Sequence, residues 1–210
     1  MLTTIFKEQR PFLFLFALFL LIGGMLLFNI EKGDIILFFS ANRSIFGDFF
    51  FTWGTKLGEI IPYIVSISLF IYLKKYLHAV AIPVLAIVVT LVAAVSKRYF
   101  AHDRPATFFE ETGLIDQIVF VENVYVNQGA SSFPSGHTMS AFAIYFFLAL
   151  NFPKHKFWNV TFFLLALLVG ISRIYLVQHF LEDVYLGATI GVLIALLVFL
   201  VVEKIALKKE

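Results

Sequence analysis

The chain has 210 residues, 60% hydrophobic and 14% charged, with a mean hydropathy of +0.92; a soluble domain carries about 25% charge, so the composition excludes an ordinary water-soluble fold and points to a membrane. A net charge of +2, with basic residues scattered singly or in pairs, leaves no footprint for nucleic acid. The absence of cysteine removes disulfides, thiolate metal sites and cysteine catalysis.

Crossing a hydrocarbon core of about 30 Å takes about 20 apolar residues, and six segments qualify as spans: 11–30, 58–73, 78–98, 136–152, 158–173 and 183–202. The expected fold is therefore all-α, a polytopic membrane protein with six transmembrane helices in one domain covering 1–210. Lys7 and Arg10 before the first segment copy the start of a signal peptide, but the run is longer than an h-region and no small-residue cleavage site follows, so it is expected to be retained. Between the first two spans, "GDIILFFSANRSIFGDFFFTWG" is apolar but interrupted by Asp34, Asn42, Arg43, Gly47 and Asp48; its aromatics suit an interfacial helix. The long polar connection from about 101 to 135 is the one stretch where a water-facing structure is expected.

An even number of spans puts both termini on one side. Lys7, Arg10, Lys74, Lys75, Lys154, Lys156, Lys204, Lys208 and Lys209 fall on that side, against Lys32, Arg43, Lys56, Lys97, Arg98, Arg104 and Arg173 opposite. Setting aside the three cations used below leaves nine against four, so the positive-inside rule predicts cytoplasmic termini and an outward-facing long loop.

Three polar clusters gather at the outward ends of the spans. The third span ends in "SKRYFAHDRP", where Lys97 and Arg104 are seven residues apart, nearly two turns if the helix continued; Pro105 discourages helix at Arg104. Taken singly, each cation also fits a snorkelling side chain. The fourth span opens with "PSGH". Pro134 and Ser135 suit a helix start, Gly136 admits a ligand close to the backbone, and the free first-turn N–H groups form an anion site. The same four residues also fit a plain cap followed by an interfacial histidine. The third cluster is "SRIYLVQHFLED". His179 and Asp183 are four apart and share a helix face, so the carboxylate can accept one ring N–H and leave the other nitrogen neutral. Arg173, six residues before His179, lies about 120° away on a continuous helix, which predicts a turn between them. A buried His–Asp pair or a helix-end ion pair is the structural alternative.

Ionisable residues at bilayer level are costly and point to function. Three cations around an N-terminal nest describe a site for a multiply charged tetrahedral oxyanion such as phosphate. No carboxylate cluster is present for magnesium or calcium and the histidines lack a metal-site pattern, so no metal and no cofactor are expected.

In this order and spacing, Lys97-x6-Arg104-Pro105, Pro134-Ser135-Gly136-His137 and Ser172-Arg173-x5-His179-x3-Asp183 resemble the three-part signature of the type 2 phosphatidic acid phosphatase family. The resemblance covers nearly the whole chain. It implies a six-helix membrane phosphatase related to the vanadium haloperoxidases, in which the second histidine attacks phosphorus and forms a phosphohistidine. On that basis His179 is the expected nucleophile, Asp183 its orienting partner and His137 the general acid. Lys97, Arg104 and Arg173, with Ser135 and the Gly136 N–H, are the expected phosphate-binding groups. The expected partners are the bilayer and a lipid phosphate: undecaprenyl pyrophosphate is favoured, with phosphatidylglycerophosphate, phosphatidic acid and a lipid A phosphate as alternatives. Phe108, Phe109, Glu110, Glu111 and Tyr125 are expected either to meet the headgroup or to pack at the interface. The expected location is a bacterial cytoplasmic membrane. A membrane phosphotransferase would share the intermediate but pass it to a lipid hydroxyl, whereas a transporter would place its charges nearer the midplane.

Overall fold

The computed structural model describes residues 8–152 and 155–208, all-helical with intervening turns. The helices in chain order are α1 (Arg10–Asn29), α2 (Asp34–Ala41), α3 (Ile45–Gly54), α4 (Ile60–Tyr72), α5 (Tyr76–Phe100), α6 (Pro105–Glu111), α7 (Gly136–Asn151), α8 (Lys156–Tyr175) and α9 (Leu181–Ala206), with single 3-10 turns at Thr55–Gly58 and Ile115–Gln117. Lys7, Lys154 and Lys209 of the charge count lie outside the described residues.

Each of the six predicted spans holds a helix, and by length and apolarity alone four or five of the crossings are accounted for. Among the described residues four helices are long and apolar enough to cross: α1, α5, α8 and α9. A fifth arises if α3 and its 3-10 turn, bent by 50° from α4, form one broken span. The segment predicted at 58–73 yields an α4 of 13 residues, about 20 Å at 1.5 Å per residue, too short to cross alone. The reason is that α3 tightens into the 3-10 turn at Thr55–Gly58 and the helix then breaks at the extended Glu59, which local hydropathy does not register.

At 16 residues, about 24 Å long, α7 is also below the crossing length. It is the axis of the bundle, with every side chain from Met139 to Asn151 buried except Ser140. Helix α9 lies against its first turns because Gly187 has no side chain; a Cβ there would stand 2.7 Å from the Ser135 carbonyl oxygen. Phenylalanine fills the core at this centre, with Phe12, Phe142, Phe146 and Phe147 fully or almost fully buried. Burying each such ring is worth about 1.5–3 kcal/mol relative to water, although lipid-facing helices gain less than this because the tails are themselves apolar.

The segment expected as one interfacial helix is two, α2 and α3. Their aromatics divide between roles. Phe46, Phe49 and Trp53 are exposed, as an interfacial face requires. Phe51 instead packs on the Tyr175 ring at 4.3 Å, and Tyr175 Oη donates to Asp48 at 2.7 Å. This ties α3 to the C-terminal end of α8, the end that carries Arg173.

Candidate active site

The polar clusters meet at one end of the bundle. Helix α5 stops at Phe100, capped by Ala101 in the left-handed region, so it does not run on from Lys97 to Arg104. Arg104 adopts the extended backbone that a following proline imposes and turns its side chain inward, where it is only 6% exposed. Arg173 lies in the last turn of α8 and is buried. The predicted turn between Arg173 and His179 spans 176–180. In it, the Gln178 and His179 amides both donate to the Arg173 carbonyl, at 2.9 and 3.2 Å. Val177 holds φ +57, a region costly for a β-branched residue and tolerated where the surroundings over-determine it.

That turn fixes His179, which is buried. Its Nδ1 lies 3.1 Å from Asp183 Oδ2, the contact expected from the four-residue spacing. Asp183 cannot itself donate as a carboxylate, so Nδ1 carries the proton and Nε2 keeps its lone pair. Nη1 of Arg104 donates toward Nε2 at 3.3 Å and to the Gln178 carbonyl at 2.8 Å. Asp183 Oδ2 also accepts from Ser132 Oγ and, at 2.9 Å, from the Phe180 amide. Burial first, and then the charges of Arg173, Arg104 and Lys97, hold the His179 imidazole well below the ordinary histidine range, so the ring is neutral.

The start of α7 behaves as its sequence suggests. Ser135 is the N-cap, and its Oγ accepts from Thr138 N at 3.4 Å and Thr138 Oγ1 at 2.9 Å, which leaves its own proton to donate. The Ser135 amide is used by the Asp183 carbonyl at 3.0 Å. A Cβ on Gly136 would meet only Ala93, at 3.8 Å, so packing does not demand glycine there and the backbone is open to a ligand. His137 and Lys97 line a cavity of about 690 Å³ between α4 and α5 whose remaining walls include Ile64, Ile82 and Ile87. The cavity joins the polar cluster to the apolar flank of the bundle.

All eight predicted site residues thus lie at this end of the bundle. Five further contacts carry no sequence signature: Ser132 on Asp183, Ser131 Oγ on Arg104 at 3.3 Å, Gln178 on Arg104, Thr55 Oγ1 accepting from Arg173 Nη1 at 2.9 Å, and Glu59 beside His137 at 3.7 Å. Ser131 and Ser132 stand beside the "PSGH" motif, and this adjacency was the only available cue. The loop aromatics resolve toward packing. Phe109 is fully buried, Phe108 and Phe109 face Phe180 at 5.4 and 6.5 Å, and Glu110 accepts from Gln128; Tyr125 alone of the group is an exposed ring.

The described residues contain no group of three or more His, Asp or Glu able to hold a metal ion. Nor does the donor set suit one, because the centre is built from guanidinium and ammonium groups, which attract anions and repel cations.

Known proteins place this arrangement. Over 81 residues the chain is 42% identical to phosphatidylglycerophosphatase B of Bacillus subtilis (strain 168), an alignment covering 35% of this chain and 40% of that relative's length. It is 25% identical over 177 residues to lipid A 4'-phosphatase of Porphyromonas gingivalis, covering 81% of this chain and 72% of the relative. Its fold matches the crystal structure of a transmembrane PAP2-type phosphatidylglycerolphosphate phosphatase from Bacillus subtilis with a TM-score of 0.66 and 26% identity, over 95% of this chain and 98% of that one. Residues 75–206, which contain all three motifs, match the PAP2 superfamily, and the chain belongs to that superfamily.

Proposed function

We propose that this protein hydrolyses a lipid phosphate or pyrophosphate through a phosphohistidine, without a metal. The observation that carries the lipid assignment is the cavity of about 690 Å³, which has Lys97 and His137 at its polar end and isoleucines along its walls. A headgroup can reach the cations there while its chain stays among apolar side chains. The relatives' names are consistent with this class. Within it, undecaprenyl pyrophosphate, phosphatidylglycerophosphate, phosphatidic acid and a lipid A phosphate share the phosphoryl group that these residues address.

His179 Nε2 attacks the terminal phosphorus, a P–N bond forms and the bond from that phosphorus to the leaving oxygen breaks, the lipid alkoxide oxygen in a monophosphate or the bridging oxygen in a pyrophosphate. His137 gives its proton to that oxygen. Arg104 exchanges the Nε2 lone pair for a phosphoryl oxygen as its acceptor, and Lys97, Arg173, the Ser135 hydroxyl and the Gly136 N–H hold the remaining oxygens. Asp183 stabilises the positive ring that phosphorylation creates. Water then attacks the phosphohistidine while His137 takes its proton; the P–N bond breaks, phosphate leaves and Nε2 regains its lone pair. The protein sits in the cytoplasmic membrane with this end outward, a placement supported by the lysine and arginine asymmetry.

The test is phosphate release by the purified protein in detergent with chelator present, across those four lipids, with His179→Ala as control. Chelator-resistant, His179-dependent release is expected. Release that persists in His179→Ala refutes the nucleophile, and transfer to an added lipid alcohol without free phosphate identifies a phosphotransferase instead. A C-terminal reporter active only outside the cell would reverse the orientation.

A further inference from the structure

Glu59 belongs to none of the three motifs and precedes the segment that matches the superfamily. Its Oε1 nonetheless lies 3.7 Å from His137 Nε2. The break between α3 and α4 is what brings it there. A broken helix leaves carbonyls without intrahelical partners, and here α7, the helix of His137, supplies them: Tyr145 Oη donates to the Leu57 carbonyl at 3.1 Å and Ser140 Oγ to the Gly58 carbonyl at 2.8 Å. In return, Tyr63 Oη on α4 donates to the Ser140 carbonyl at 3.2 Å. Gly58 sits directly on the histidine's backbone; a Cβ there would stand 2.9 Å from the His137 carbonyl oxygen and 2.7 Å from Val169 Cγ1. The break is therefore stapled to the first turns of α7, and Glu59 is the next residue along.

The charges around His137 give that placement a purpose. Burial first, and then the charges of Arg173 on α8, Lys97 on α5 and Arg104 before α6, push the ring toward its neutral form, and His179 lies within range of its charge. Cations that suit a phosphate also repel the extra positive charge that a general acid must hold. Glu59 faces the ring from the helix break, and both side chains line the cavity that receives the lipid.

We propose that Glu59 is a positioning residue for His137: its carboxylate supplies the counter-charge that holds the ring toward the lipid cavity in the protonated form that donates to the leaving lipid oxygen. This rests on the reading of His137 as general acid, and the two can fail separately.

The experiment compares kcat/KM for dioleoyl phosphatidic acid against pH in the full-length protein and in Glu59→Gln, Glu59→Asp, His137→Ala and the Glu59→Gln/His137→Ala double variant. An opposite charge at this range shifts a titration by about 1 unit where, as here, both side chains are more than a third exposed and solvent screens the pair. Glu59→Gln should therefore move the alkaline limb about one pH unit lower while approaching wild-type activity on the acid side, and Glu59→Asp should restore part of the shift. In the His137→Ala background, Glu59→Gln should cost less than twofold, because a residue acting through His137 has nothing left to act on. A Glu59→Gln profile superposable on wild type, or lowered by one factor at every pH, overturns the proposal, as does an undiminished Glu59→Gln loss in the His137→Ala background. Thermal unfolding of each variant separates a folding defect from these outcomes. Wild-type activity in His137→Ala would instead remove the general acid itself.

Discussion

Replacing Asp183 by Asn tests the centre of the proposed mechanism with the smallest change of shape. His179 and Asp183 are both essentially inaccessible, with Nδ1 and Oδ2 3.1 Å apart. When Nε2 becomes bonded to phosphorus the ring carries a positive charge, and a carboxylate at that distance stabilises it by about 5 kcal/mol at an effective dielectric of about 20. With roughly half of that charge developed in the transition state, Asn forfeits about 2–3 kcal/mol, or roughly 10²-fold in kcat at tenfold per 1.36 kcal/mol. A second cost falls on folding. One carboxylate oxygen takes donors from His179, Ser132 and Phe180, and an uncharged amide oxygen in its place accepts each of them more weakly. The new amide nitrogen would also occupy the place of Oδ1, which is buried without a partner, at about 1–3 kcal/mol for an unpaired donor. The assay is single-turnover phosphate release alongside thermal unfolding. A folded Asp183→Asn protein with kcat within threefold of wild type would refute the role given to this carboxylate.

Ser132→Ala removes one donor from Asp183 but leaves two; at about 1 kcal/mol for a hydrogen bond, kcat should fall roughly fivefold, and an unchanged kcat would show that Ser132 is idle. Thr55→Val leaves Arg173 Nη1 without its hydroxyl acceptor, so KM for a lipid phosphate should rise by a similar factor, and an unaltered KM would count against Arg173 being held by Thr55. Gly58→Ala places a methyl 2.7 Å from Val169 Cγ1 and 2.9 Å from the His137 carbonyl, an overpacking worth about 1–3 kcal/mol, to be read as a lowered unfolding midpoint. The acid limb of kcat/KM follows from the neutral His179. The nucleophile must be unprotonated, and its titration is pushed well below the ordinary histidine value by burial and three cations, so lowering pH should not silence it near pH 6.5. Once the substrate's second ionisation, at about pH 6, is divided out, an enzyme-derived acid limb at about 6.5 would contradict the neutral buried ring.

What the sequence disclosed, and what it hid, divides by the range of the interactions involved. The Asp183 contact to His179 was legible because helical spacing is local, and the turn after Arg173 was legible because six residues do not share a helix face. The helix interiors were legible through hydropathy, which is local too. Thr55 meets Arg173 across 118 positions and Arg104 meets the Gln178 carbonyl across 74; no periodicity spans such separations. The break at Glu59 was hidden for the same reason, since the Leu57 and Gly58 carbonyls before it are satisfied from α7, more than 80 residues away. The short α4 and the placing of Glu59 and Thr55 in the site are thus one fact, whereas the 16 residues of α7 are a separate one. The first follows from a helix interrupted for the sake of its partners on α7 and α8.

The partners chosen for the cations show how the site keeps its charge. At the same end of the molecule, Arg43 is paired with Asp48 at 3.2 Å and Lys32 with Glu182 at 2.9 Å; these cations are neutralised and serve to tie α2, α3 and α9 into place. The two buried arginines of the site are held differently. Arg173 donates to a threonine hydroxyl, and Arg104 to a backbone carbonyl, a serine hydroxyl and a neutral imidazole. Neutral acceptors fix a guanidinium in position while leaving its charge uncancelled, and in a water-poor site an uncancelled charge acts more strongly than it would in water. The expense of holding such groups inside the protein is offset when a phosphoryl dianion arrives, so substrate binding and relief of that expense are one event. Positioning by neutral groups and neutralisation by the substrate together explain why the site contains many donors and only one fully buried carboxylate, and why that carboxylate is bonded to the histidine while the arginines donate to neutral groups.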